Sequence, residues 1–362
     1  MKIAICVHNL ANGGAERVAS LWANGFAERG DEVTIILAEE NAPIEYAVSE
    51  KVRICNIYAK GQSAVRYLRK IRNLRMLLRN NKTEVAIAVM QPFNIWLILA
   101  TIGLKTRIVN TEHNSFEKFN GVVMSRTEKF YKFWLNKCFK AVTVLTAADQ
   151  KVIGSKLKNV YVMPNPLTFT PCESIAGKEK IILACGRLDI WYVKGFDTLI
   201  EVWGKISDKH PDWQLCIAGR GRTKDEDFLK SCAEKHGVGD RMHLLGFCKD
   251  MQATLRKAAV FAFPSRYDGF GMALIEAMSQ GCACVACDFK GRQGEIIQDG
   301  ISGLLCQPED VDNLVQALDS ILSDEEKRTA LQEQAILRSR DFSLTKVIDR
   351  WYDIFKQMGL LN

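Results

Sequence analysis

No stretch of 18 or more apolar residues occurs in this chain of 362 residues, so no segment is expected to cross a membrane as a helix. Spaced pairs of cysteines are absent as well. The twelve Cys fall singly inside apolar segments, Cys6, Cys185, Cys216 and Cys284 among them. That excludes a disulfide scaffold and fits a reducing compartment, where a thiol behaves as a small buried hydrophobe. The alternating cysteines of CACVAC, 282–287, read as a buried strand, because a zinc site needs spaced pairs. The opening MKIAICVHNLANGG lacks a long apolar core and a small-residue cleavage site, and it reads as a first β-strand. Low-complexity tracts and short internal repeats are missing too. Proline is scarce, yet three of the 8 lie in VYVMPNPLTFTPCES, 160–174, which divides the chain in two.

Acidic residues are unevenly short. Residues 1–165 hold 24 Lys and Arg against 13 Asp and Glu, and the remainder holds 25 against 29. The net charge of +7 therefore sits in the first half, which is suited to meet something anionic. Acid is absent altogether from KGQSAVRYLRKIRNLRMLLRNNK, 60–82, which carries eight Lys and Arg. Val65, Leu68, Ile71, Leu74 and Leu78 fall near one helical face, and Arg66, Arg69, Arg72, Arg75 and Arg79 lie off it. Two readings stay open: a core-packed helix with a solvated basic side, or a helix lying on an anionic membrane surface. The basic-aromatic stretch KFYKFWLNKCFK, 129–140, favours the membrane. Nucleic acid is not expected as a partner, because none of its binding motifs is present.

What the sequence does contain is a steady alternation of strands and helices. KIAICV (2–7), VTIILA (33–38), VAIAVM (85–90), RIVNT (107–111) and AVTVLT (141–146) are near-continuous apolar runs, as expected when helices cover both faces of a parallel sheet. The second half repeats the pattern with IILACG (181–186), WQLCIAG (213–219), VFAFPS (260–265), CVACDF (284–289) and GLLCQ (303–307). The expected fold is α/β, two doubly wound domains facing each other across a cleft.

Ligands of such folds bind outside the carboxyl ends of strands, so glycines after strands mark candidate sites. In HNLANGGAERV, 8–18, Gly13 and Gly14 let a ligand approach the start of a helix; a plain tight turn is the alternative. This is not the G-x-G-x-x-G fingerprint, which argues against a dehydrogenase. In CGRLDIWYVKGFDTLI, 185–200, Arg187 and Lys194 beside a helix start suit a diphosphate. In IAGRGR, 217–222, Gly219 again follows a strand. In SRYDGFGMALIEAMSQG, 265–281, the turn Gly269-Phe270-Gly271 opens a helix flanked by Asp268 and Glu276. Those carboxylates accept hydrogen bonds from hydroxyls better than they hold phosphate. Phosphate beside cations, with hydroxyls beside carboxylates, describes a nucleotide sugar. D-E-D at 225–227 and D-V-D at 310–312 mimic metal-binding D-x-D motifs but read as solvated helical faces.

The set GGAER, GR…KG, AGxG and D-G-F-G-x-x-x-x-E followed by AMSQG resembles glycosyltransferase family 4, the retaining GT-B enzymes. The later DGISGLL (299–305) and SLTKVIDRWYDIFKQ match that family's layout too. The resemblance implies an acceptor-side domain at 1–165, a donor-binding domain at 166–343 and a last helix, 344–362, crossing back to the first domain. It assigns Arg187 and Lys194 to the donor's diphosphate, Glu276 to the ribose hydroxyls and Asp268 to the donor sugar. The family's acidic pair is usually Glu-x7-Glu; here the first acid is one methylene shorter. His113, past the strand RIVNT, is the residue expected near the reacting centre, and His8 is a weaker candidate. The implied donor is a UDP-sugar and the implied acceptor a lipid-linked or oligosaccharide chain. No metal or other cofactor is expected, and the implied location is the cytoplasmic face of the membrane. A non-catalytic nucleotide-sugar-binding protein and a nucleotide-sugar epimerase are the alternatives.

Overall fold

The computed structural model describes residues 1–11, 13–41, 43–119 and 122–361. The chain forms two compact units, Met1–Pro166 with Leu344–Asn362, and Leu167–Ser343. In the first, seven parallel strands stand in the order β3-β2-β1-β4-β5-β6-β7. They are β1 (Lys2–Val7), β2 (Glu32–Leu37), β3 (Arg53–Asn56), β4 (Val85–Val89), β5 (Arg107–Thr111), β6 (Ala141–Val144) and β7 (Val160–Val162). Ile3 of β1 lies between Val33 of β2 and Val85 of β4, and every residue of β4 is buried. Burial on both faces is why these segments read as continuous apolar runs.

Three helices bear on the candidate sites: α1 (Gly14–Glu28), α2 (Ser63–Asn80) and α3 (Phe93–Ala100). Helix α1 buries Val18, Trp22 and Phe26, four residues apart and so on one face. Against it packs the last helix, Leu344–Gln357, which belongs to the first unit. Trp351 is fully buried, edge-on to Trp22 at 5.1 Å and to Phe26 at 6.2 Å. Burying a side chain of this kind contributes roughly 1.5–3 kcal/mol. Gly25 permits the contact, because a Cβ there would stand 2.6 Å from Ile348 Cγ1.

The second unit holds six parallel strands in the order β10-β9-β8-β11-β12-β13. These are β8 (Glu179–Cys185), β9 (Gln214–Ala218), β10 (Met242–Gly246), β11 (Ala258–Phe263), β12 (Ala283–Cys287) and β13 (Leu304–Cys306). The order reverses at β1/β4 in one sheet and at β8/β11 in the other. Such switch points are where open α/β sheets leave a crevice for a ligand.

Three strands depart from the sequence reading. β3, β7 and β10 were not expected, and each stands at the edge of its sheet. Edge strands are half solvated, so RICN, VYV and MHLLG lack the apolar run that marks a central strand. Helix α2 packs on the core through its second half alone, where Ile71 and Leu77 flank Leu74 and Leu78. Only Leu74 and Leu78 are buried, while Val65 and Leu68 are 48% and 68% exposed. The stretch 129–140 is split between a π turn, Phe130–Trp134, and a 3₁₀ turn, Leu135–Cys138. Its Lys132 points inward, donating to Ser115 O at 3.0 Å over the Phe116 ring, and does not face solvent as a basic surface residue would. Among the described residues no helix is long and apolar enough to cross a membrane.

Candidate active site

In the second unit the candidate residues gather at the switch point between β8 and β11. β8 ends at Cys185, and a short helical turn, Trp191–Lys194, leads to Gly195. Gly195 adopts φ +68°, and a Cβ on it would lie 2.0 Å from Pro264 O. No other residue tolerates that approach to backbone, so glycine presses the Lys194 loop onto the end of β11. There Lys194 Nζ donates to Asp268 Oδ2 at 2.7 Å, and both side chains are 20% exposed. Burial opposes the Lys194 charge, but the Asp268 carboxylate outweighs it and raises the lysine pKa. Asp268 Oδ1 meanwhile accepts from the Phe270 amide at 3.2 Å.

Arg187 lies near enough that its charge acts on Lys194, yet it too is paired. Its Nε donates to Asp189 Oδ1 at 3.0 Å and its Nη2 to Asp189 Oδ2 at 2.5 Å. The two cations expected to hold a diphosphate are thus both ion-paired. Each has its own carboxylate two to seventy-four residues away, and an anionic ligand must compete with both pairs. Asp189 was within reach of the sequence, since it follows Arg187 by two positions across one turn.

Gly271, at φ +107°, caps the helix Met272–Ser279, and Gly269 lies in the same turn. Phe270 was expected to meet the ligand, but its ring is buried against Phe342 at 5.8 Å, which leaves only its backbone on the turn. Glu276, in the helix, is 7% exposed, and its Oε1 accepts from Thr168 Oγ1 at 2.6 Å. The Cys185 thiol lies beside both Glu276 and Lys194. Burial first, then the Glu276 charge, pushes its pKa up to about 12, so it stays a neutral thiol. Gly219 has a structural reason of its own: a Cβ there would sit 1.8 Å from Gly186 O, joining the turns after β8 and β9.

Arg266 escaped the sequence reading. It is 6% exposed and forks onto Asp197, Nη1 to Oδ1 at 2.6 Å and Nη2 to Oδ2 at 2.9 Å. It also donates to Tyr192 O at 2.6 Å, Thr198 Oγ1 at 2.7 Å and Glu309 Oε1 at 3.1 Å. A buried bidentate guanidinium of this kind fixes geometry. It ties the Lys194 loop to the Asp268 turn. Partners sixty-nine positions away left no local signal.

The first unit carries Gly13, Gly14, His8 and His113, all past strand ends. Gly13 is extended, and a Cβ on it would meet Glu16 Oε2 at 1.9 Å, so a carboxylate lies over this helix start; Gly14 faces open space. Tyr46 Oη donates to Gly13 O at 3.0 Å. His113 follows β5, with Nε2 3.0 Å from Thr111 Oγ1 and its ring 5.7 Å from that of Trp22. The Thr111 hydroxyl already donates to Ala88 O at 2.9 Å, so His113 Nε2 carries the proton and Nδ1 is the acceptor. That Nδ1 is buried with no hydrogen-bond partner, and burial lowers the ring's pKa to about 4. His113 is therefore a neutral acceptor with an open lone pair. His8 Nε2 lies 2.6 Å from Glu39 Oε1, and its Nδ1 is likewise unpartnered. His210, just past the turn Ser207–Lys209, is buried and bound to Asp319 at 2.8 Å.

The D-x-D mimics have structural roles. Asp225 is buried and held by Arg222 Nε at 2.7 Å, which corrects its reading as a solvated face, and Asp310 caps the helix Val311–Ser323. Among the described residues no group of three or more His, Cys, Asp or Glu is placed to hold a metal ion.

Residues 171–338 match the family model for glycosyl transferases group 1, and residues 12–168 that for glycosyltransferase family 4. An uncharacterized glycosyltransferase of Haemophilus influenzae is 30% identical over 98% of this chain and 99% of its own. The amylovoran biosynthesis glycosyltransferase AmsD of Erwinia amylovora is 27% identical, over 98% and 99% of the two chains. An α-1,4-N-acetyl-D-galactosaminyltransferase of Campylobacter jejuni, whose name specifies an undecaprenol-diphosphate-linked glycan, is 26% identical over 99% of each. Among solved structures, Anabaena HepE in complex with UDP superposes with a TM-score of 0.79 at 17% identity, covering 99% of this chain and 100% of that one. Sucrose-phosphate synthase from Thermosynechococcus elongatus gives 0.80 at 19% identity, over 99% and 98%. At these identities the likeness shows the fold alone, GT-B.

Proposed function

Because the chain belongs to glycosyltransferase family 4, we propose that it transfers a hexose or N-acetylhexosamine from a UDP-sugar with retention of configuration. The acceptor is a lipid-linked or polysaccharide chain in cell-surface glycan assembly, and no metal ion takes part. The observation that carries this reading is the joining of Lys194, Asp268 and Glu276 at one switch point, beside the start of the helix Met272–Ser279.

A departing nucleoside diphosphate gains negative charge as its bond to the sugar stretches. Lys194 and Arg187, with the first amides of the helix Met272–Ser279, supply fixed positive charge for it. The diphosphate competes for Lys194 and so frees a carboxylate oxygen of Asp268, which accepts from a sugar hydroxyl. Glu276, held by Thr168, accepts from the ribose. His113, neutral at pH 7, offers Nδ1 to a substrate hydroxyl. A lipid-linked acceptor accords with the Campylobacter relative's name, and uridine with the UDP complex of the Anabaena neighbour.

Docking on an anionic membrane completes the reading. Every residue of 61–69 is exposed, among them Val65, Tyr67 and Leu68 beside Arg66 and Arg69. An apolar and basic helix end of this kind suits a charged bilayer surface.

The test offers UDP-linked glucose, galactose, N-acetylglucosamine and N-acetylgalactosamine with a polyprenyl-diphosphate-linked acceptor in excess chelator, and reads the anomer by NMR. Turnover of one donor to an α-linked product is expected. A β-linked product overturns retention, strict need for added magnesium or manganese overturns metal independence, and inertness towards every UDP-sugar overturns the donor class.

A further inference from the structure

The first unit has a concavity at the end of its sheet opposite the glycine turns. It measures about 410 Å³ and lies at the amino ends of β4 and β5, with Leu78 of α2 in its wall. Four cations line it, Arg79, Lys82, Lys105 and Arg107, against one acid, Glu84. The Glu84 carboxylate already accepts from the Lys2 amide at 2.7 Å. Among the described residues, none of the four cationic heads is paired with a carboxylate.

Helix ends explain only part of this charge. α2 and α3 both finish here, and each carboxyl end carries about half a negative charge. The end of α3 is moreover served by another residue, because Arg75 Nη1 donates to Ala100 O at 2.9 Å and to Ile102 O at 2.6 Å. Lys105 and Arg107 are thus surplus to the fold. Arg107 is half-buried, where an uncompensated charge is least welcome. The volume falls within the range of small-molecule sites, roughly 300–1,000 Å³. The five residues of β4 separate this concavity from the His113 end of the sheet by about 17 Å, too far for one small ligand to reach both.

We propose that this concavity is a second binding site, for a multivalent phosphate. Its cations match a di- or triphosphate, borne by a free metabolite or by a lipid headgroup, and it shares no residue with the donor site. The proposal stands without the transferase reading.

Pyrophosphate is titrated calorimetrically into the parent protein and into the variant Arg79→Ser, Lys82→Asn, Lys105→Ser. All three residues are exposed, and Asn suits the positive φ of 50° at Lys82; equal melting temperatures verify folding. The same pair is sedimented with phosphatidylcholine vesicles containing phosphatidic acid. The parent is expected to show a pyrophosphate site that the variant lacks or binds at least tenfold more weakly, fading as salt rises. Loss with both probes assigns the phosphate to a lipid headgroup; loss confined to the vesicles is what removing three charges near α2 gives without any site, and overturns the proposal. Any pyrophosphate held at the donor site is common to both proteins and cancels. If parent and variant behave alike with both probes, including failing to bind either, the proposal is overturned.

Discussion

Replacing Lys194 by alanine tests the site most directly. The ammonium lies 2.7 Å from Asp268 Oδ2 in a pair whose side chains are each 20% exposed. Removing it has two effects on a departing diphosphate. One preorganised positive charge is lost, which costs on the order of 100- to 1,000-fold in kcat. Asp268 also becomes an uncompensated carboxylate beside the developing anion. At an effective dielectric of 20, like charges about 8 Å apart repel by about 2 kcal/mol, less after solvent screening. Lys194→Ala should therefore fall near the lower end of a 1,000- to 10,000-fold loss. Adding Asp268→Asn removes the repulsion while keeping an oxygen that can accept from a sugar hydroxyl. The double variant should be about tenfold faster than the single one, or about 1.4 kcal/mol better in the transition state. Steady-state kcat and KM for donor hydrolysis and for transfer, with melting temperatures, make the comparison. A Lys194→Ala enzyme within threefold of the parent refutes the role of the lysine. A double variant slower than the single one refutes the argument from the ion pair.

Glu276→Ala should weaken donor binding by roughly 10- to 100-fold, the worth of hydrogen bonds to a charged acceptor. Calorimetric titration of UDP checks this, and an unchanged Kd removes Glu276 from the ribose. His113, held neutral by burial with a pKa of about 4 against an ordinary 6.5, should make stability pH-dependent. The unfolded chain binds the extra proton, so stability is full above about pH 6.5 and declines towards pH 4, by up to about 3 kcal/mol. Urea melts of the parent and of His113→Phe at pH 5 and pH 7 measure the difference, and equal pH slopes contradict the assignment. Replacing Arg66, Arg69 and Arg72 by Ser should cut sedimentation with anionic vesicles by about 100-fold at low salt, at roughly 1 kcal/mol per charge. Arg75 is left in place because it holds the end of α3; undiminished sedimentation would mean that α2 is merely solvated.

Central strands were legible because burial on both faces writes itself as an apolar run. VAIAV at β4 and ACVAC at β12 are read at sight. β3, β7 and β10 were not, since an edge strand is half solvent-facing and short. The glycines and carboxylates of the site were visible as turns after strands. Their ion pairs were not, because nothing in the composition of a turn says that Lys194 will meet Asp268 and not solvent. Arg266 was the hardest, a cation whose acid arrives from a distant helix. Phe270 shows the converse: its place in a glycine turn suggested a ligand contact, whereas its ring completes the core.

The place of the last helix sets an order on biosynthesis. The unit Leu167–Ser343 is one uninterrupted stretch and has all its strands as soon as residue 343 is clear of the ribosome. The first unit, begun earlier, lacks a wall until residues 344–357 are made, and Trp22 and Phe26 have no Trp351 to cover them. The part of the chain synthesised second is thus the first that can be complete, and the amino-terminal unit waits longest with its aromatic face exposed. Nascent chains stalled before residue 344 would be clients for chaperones through that face.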